Sequence, residues 1–195
     1  MLEEKQLTEK ESLALIASMI NKVKNSCIDS GIGPLFWGVM ITICSLITFA
    51  ESNFHFKLGF DIWILSLIAL LPQIFFTWRA KKEKVFIAHD ETMMNYVWGT
   101  FTVCVFMLSF YNSKTETSNS IALYMMVFGI PTFITGGIRN FKPMILGGLV
   151  CWICSIASYY VSFANGMLLM ALSAVAAWLI PGIILRRRYL KMKHV

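Results

Sequence analysis

Apolar residues along this chain gather into six long runs, each cut off by a short polar interval. The runs extend from Gly33 to Ala50, Ile62 to Trp78, Met93 to Tyr111, Ile121 to Ile138, Pro143 to Val161 and Met167 to Leu185. None alternates polar and apolar residues with a period of two, so none reads as a barrel strand. At 1.5 Å per residue each is long enough, with its flanks, to cross about 30 Å of hydrocarbon. Backbone polar groups in lipid must pair within their own segment, which selects helices. Pro143 to Leu185 contains no Asp, Glu, Lys, Arg or His. That stretch is too long for one crossing, so it predicts two. The expected architecture is all-α: a polytopic bundle of six transmembrane helices, arranged as three helical hairpins over residues 33–185.

The sequence before the first run is polar. Thr8 and Glu11 have the spacing of a capping box. Leu13, Ile16, Met19, Ile20, Val23 and Cys27 then recur at helical intervals, opposite Ser18, Asn21, Lys22 and Asn25. This pattern predicts an amphipathic helix on the inner membrane surface within a cytoplasmic segment, residues 1–32. Such a start is unlike a signal peptide. Residues 186–195 form a basic cytoplasmic tail.

Charge then sets an orientation. Hydrophobic residues make up 57% of the chain and charged residues 14%, against about 25% in soluble domains. Of the 17 Lys and Arg residues, all but Lys57 and Lys114 fall on one side of the six runs. They occupy the N-terminal segment, the loop Arg79 to Lys84, the turn at Arg139 and Lys142, and the tail Arg186 to Lys193. Short loops rich in Lys and Arg stay in the cytoplasm, so both termini are expected there. Trp37, Trp78, Tyr96 and Trp98 fall near the inner interface, and Trp63, Tyr111, Tyr124, Tyr159 and Tyr160 near the outer one. Trp152 lies mid-span and is expected to pack between helices.

A repeat runs through the even-numbered spans. Each has one proline near its cytoplasmic end, followed by an arginine: Pro72 with Arg79, Pro131 with Arg139, Pro181 with Arg186. Trp37-Gly38 with Thr42 and Cys44 recurs in the third span as Trp98-Gly99 with Thr102 and Cys104. Three units of similar orientation follow from this pattern. Proline kinks a helix and frees a carbonyl, so three kinks at one depth predict a vestibule facing the cytoplasm. The polar residues at that depth are Gln73, Thr77, Asn95, Thr132 and Thr135, leading to Arg139 and Asn140. Gln73, Asn95, Thr132, Thr135 and Arg139 are the candidate ligand-binding set.

Reaction chemistry is harder to find. No acidic or basic residue sits at mid-span; Glu51 and Asp61 lie at the outer end, where Asp61 is an N-cap candidate. Cys151 and Cys154 have the spacing of redox motifs but lie in an apolar span, which favours the neutral thiol. Cys151 with Gly147, Ser155 and Ser158 makes a stripe suited to close helix packing. His89, Asp90 and Glu91 are consecutive and would diverge on a helix; Asp90 is a candidate N-cap. The sequence therefore points to no catalytic residues, no metal and no cofactor. Its basic face suits anionic lipid headgroups, and membrane topology already requires that face, so it does not argue for nucleic acid.

The segment Glu11 to Ile20, followed by Gly33-Pro34-Leu35-Phe36-Trp37-Gly38, resembles a group of small, uncharacterised bacterial multi-pass membrane proteins. The resemblance implies a bacterial cytoplasmic membrane and carries no assigned activity. Leu71-Pro72-Gln73 with Arg79 and Lys81 is similar to the motif of PQ-loop and SWEET-type transporters. Those repeat every three helices with Pro-Gln in each, whereas this chain repeats every two and its other sites read Pro131-Thr132 and Pro181-Gly182. The expected function is a non-enzymatic sensor or scaffold. It would act on a cytoplasmic protein partner through the N-terminal helix, possible also as a homo-oligomer contact. The alternative is a small facilitative transporter using the vestibule.

Overall fold

A computed structural model describes residues 31–54, 58–83, 89–114 and 120–193. The N-terminal amphipathic segment, with Thr8 and Glu11, lies outside them. Six helices account for nearly all the described residues: α1 (Ile32–Phe54), α2 (Ile64–Glu83), α3 (His89–Lys114), α4 (Ser120–Ile138), α5 (Lys142–Ser158) and α6. The last is continuous through Phe163–Ala174, a π-helical turn Val175–Leu179 and Ile180–Lys193. No strand occurs among the described residues.

Four stretches are long and apolar enough to cross a membrane: Ile32–Phe54, Thr92–Lys114, Ser120–Ile138 and Phe163–Lys191. Ile64–Phe75 and Lys142–Ser158 are shorter apolar helices. The outward surface is what lipid requires. Leu71 is 68% exposed, Met107 67% and Ile153 66%, amid many other large apolar side chains on the surface. Soluble monomers do not expose apolar area on that scale.

The closest pairings are α4 with α5 and α1 with α6. α3 packs on α4, and α5 on α6, while α1 and α2 meet only lightly. Glycines explain how near the backbones come. A Cβ at Gly147 would stand 2.5 Å from the Cα of Ala177, and one at Gly38 2.7 Å from the nitrogen of Leu179. The α4–α5 turn is equally tight. Asn140 adopts a left-handed φ of 48°, Phe141 N–H donates to the Gly136 carbonyl at 2.8 Å, and Asn140 N–H to that of Gly137 at 3.1 Å. This is a Schellman closure with asparagine in the left-handed position. Pro143 then sits in the first turn of α5, where a missing N–H costs nothing.

Asp61 behaves as expected, its Oδ1 accepting the Trp63 N–H at 2.9 Å where the chain enters α2. α3 begins at His89, so Asp90 lies inside its first turn and not ahead of it. α5 ends at Ser158 and α6 begins at Phe163, shortening the fifth predicted span and lengthening the sixth.

Candidate functional site

The interior is built around Trp178, carried on the π turn of α6. Pro181 has no N–H for the Ala177 carbonyl one turn back. The helix widens just ahead of it, and Ile180 N–H donates to Val175 five residues back instead of four. Trp178 points into the core and is 4% exposed. Its Nε1–H donates to Thr132 Oγ1 at 2.9 Å. The Thr132 hydroxyl in turn donates to the Phe128 carbonyl at 2.8 Å. Phe128, Trp98 and Phe101 surround the indole, with ring centroids 5.2, 6.0 and 6.3 Å away. Trp98 thus packs against the core as well as standing near one end of its helix.

Beside this cluster, α5 grips α4 and α6 by hydrogen bonds to their carbonyls. Trp152 Nε1–H donates to Met126 at 3.2 Å and Ser155 Oγ–H to Ala122 at 2.7 Å, one turn apart on α4. The Cys151 thiol points at the Ser173 carbonyl, 3.8 Å away. Ser173 Oγ–H reaches the Leu169 carbonyl at 2.8 Å and Met125 Sδ at 3.4 Å. The small-residue stripe on α5 is therefore a packing surface, and Trp152 packs between helices as expected. Between these side chains lies one cavity of about 10 Å³, lined by Ile41, Phe128, Cys151, Met170, Ser173, Ala174, Ala177 and Trp178. It has room for about one water and is walled by carbon and sulfur, with too few polar partners to hold one.

The candidate ligand residues differ in burial. Thr132 and Thr135 are buried in α4, Gln73 is half-buried near Gly33, and Asn95 and Arg139 are exposed. Thr132 spends both roles of its hydroxyl on Phe128 and Trp178. Thr135 Oγ1, like Ser45 Oγ, is buried with no hydrogen-bond partner. The prolines divide in the same way: Pro131 and Pro181 are buried, whereas Pro72 is exposed. Nothing of the Thr77 side chain is described. Among the described residues no group of three His, Cys, Asp or Glu side chains is placed to hold a metal ion.

The second assembly is the basic end of the bundle. A Cβ at Gly31, which has φ 71°, would meet Arg186 N and the Gly182 carbonyl, both at 2.8 Å. Phe141, in the α4–α5 turn, is buried beneath the Arg188 guanidinium, 5.2 Å from its ring centroid. Arg186 lies over Tyr189 at 5.6 Å. Arg139, Lys142 and Arg186 to Arg188 are thus gathered at the end where α1 begins. Glu51, which accepts Leu58 N–H at 3.0 Å, and the Ser109–Tyr124 hydroxyl pair at 2.9 Å mark the other end.

Sequence reasoning overlooked Trp178, Ser173 and Met125, because one more apolar residue in an uncharged run carries no signal of its own. The available clue was Pro181, which disturbs the helix one turn after Trp178. Comparison with family models, curated proteins and solved structures gives no match.

Proposed function

We propose that this chain is a six-pass protein of the bacterial cytoplasmic membrane. Its basic end and both termini face the cytoplasm, and it serves as a non-enzymatic scaffold or sensor for a cytoplasmic protein. The packed core around Trp178 carries the functional part of this reading. The core hydroxyls of Thr132 and Ser173 are taken up by partners inside the bundle, and the cavity is too small for a solute. A facilitator needs a polar path, and these residues supply none. What the bundle presents is a packed frame with a concentrated basic end.

Two features support six crossings over four. α5 has 17 residues, the lower limit for a span. It is capped by Lys142 at one end and the exposed Tyr159–Tyr160 pair at the other. α2 presents Leu67, Ile68, Leu71, Ile74 and Phe75 outward, a surface only lipid or protein can cover. In this reading the units still cross as down-and-up pairs, and α1 closes the bundle by packing on α6.

The deciding experiment compares the full chain with a variant carrying Leu13→Ser, Ile16→Ser and Ile20→Ser. Cross-linking in native membranes should join a cytoplasmic protein to the former and not the latter. Solute flux through proteoliposomes of the purified chain, or equal cross-linking by both chains, would replace the scaffold with the transporter. Cysteines placed at Lys142 and Tyr160 should label from opposite sides of sealed vesicles.

A further inference from the structure

Basic residues dominate the last part of the sequence. From Thr117 to Val195 there is no Asp or Glu, while that stretch holds Arg139, Lys142, Arg186, Arg187, Arg188, Lys191 and Lys193. Two elements bring these cations together. The Schellman turn ending α4 sets Phe141 in the interior with Lys142 beside it at the start of α5. The end of α6 lays Arg188 over the Phe141 ring. Lys142 and Arg188 are both exposed; Arg188 lies over the Phe141 ring, and Lys142 directly follows Phe141 in the chain.

Below Lys142 runs an apolar track. Leu146, Leu149, Ile153 and Ile156 follow it at four, seven, eleven and fourteen residues, and all four are exposed. Helical spacing puts them on one face of α5 with Lys142 at its head. A charge above a continuous strip of branched carbon matches a phospholipid, with an anionic headgroup at one end and a hydrocarbon chain at the other. A free phosphate would use only the charge.

We propose that Lys142 and Arg188 hold the phosphodiester of an anionic phospholipid, whose acyl chain lies along Leu146, Leu149 and Ile153. The site sits at the bundle's headgroup level, and so rests on the reading that α5 crosses the membrane. Bound lipid would tie the α4–α5 turn to the end of α6 from outside, as Phe141 ties them from within.

The test uses the delipidated full chain in detergent and native mass spectrometry, with phosphatidylglycerol and phosphatidylcholine in competition. The unaltered chain should retain phosphatidylglycerol preferentially, and less so as salt is raised. K142Q/R188Q should lose about 25-fold in that preference, on about fivefold for each cation removed. K114Q, at the opposite end, should keep it. An unchanged preference in K142Q/R188Q, an equal loss in K114Q, or displacement of the lipid by millimolar inorganic phosphate would each overturn the proposal. If K142Q/R188Q does not fold, the salt series on the unaltered chain decides, and a salt-independent preference overturns it. Vesicle labelling at Lys142 and Tyr160 reports separately on the crossing of α5, so the two readings can fail apart.

Discussion

At the scale of single residues, the bundle is held by close backbone approach and by hydroxyls and indoles that bond across helices. Gly147→Ala would drive a methyl into Ala176 and Ala177, whose backbones leave no space. It should lower stability by about 1–3 kcal/mol in detergent unfolding, the usual range for overpacking. Gly137→Ala meets nothing within 4 Å and should be neutral or slightly stabilising, since helical glycine is itself unfavourable. Equal losses at the two sites would mean that α5 and α6 are not in this register. Trp178→Phe keeps the ring contacts but removes the donor to Thr132. A loss of about 1 kcal/mol is expected, typical of a hydrogen bond between helices in membranes, and thermal unfolding would read it. The sequence shows the residue types involved in these contacts. Gly147, Cys151 and Ser155 are legible as a packing stripe because they share a helical face. The partners Ala177, Ser173 and Ala122 are not, because nothing local says which helix a stripe will meet.

At the scale of helices, the six helices are legible as long apolar runs, but their ends are not: α2 continues past Trp78 to Glu83 and α6 past Leu185 to Lys193. The order of packing is not legible either, and the repeat shows why. Pro72, Pro131 and Pro181 have similar sequence contexts, yet two face the core and one faces outward. Trp37-Gly38 and Trp98-Gly99 are a matched pair, and each following threonine bonds back four residues, to Gly38 and Trp98. Gly38 nevertheless abuts α6, whereas a Cβ at Gly99 would meet nothing within 4 Å. Equivalent sequence units thus occupy unequal places, because a bundle of six has inner and outer positions. Pro72→Ala should therefore change stability little. Pro131→Ala and Pro181→Ala should cost about 1 kcal/mol or more, as the kinks that fit Thr132 and Trp178 together relax. Circular dichroism melts of the three variants test this ordering, and a uniform response would count against distinct environments.

At the scale of the whole molecule, basic and apolar residues sort along one axis. The charge pattern made the basic end legible before any coordinates. How the three proline helices pack at that end is not legible in the same way, because side-chain volumes decide it. Around Trp178, the rings of Phe128, Trp98 and Phe101 fill the core. A further consequence of the proposed six-pass reading belongs to α5. Its 17 residues, Lys142 to Ser158, measure about 25 Å, less than the usual hydrocarbon thickness of about 30 Å. The helix at the centre of the tightest pairing is also the shortest, so it acts as a gauge. The protein should be most stable in bilayers of short acyl chains and should thin a thicker bilayer around itself. Unfolding measured across phosphatidylcholines of increasing chain length should show an optimum on the short side, with hydrophobic mismatch lowering stability beyond it.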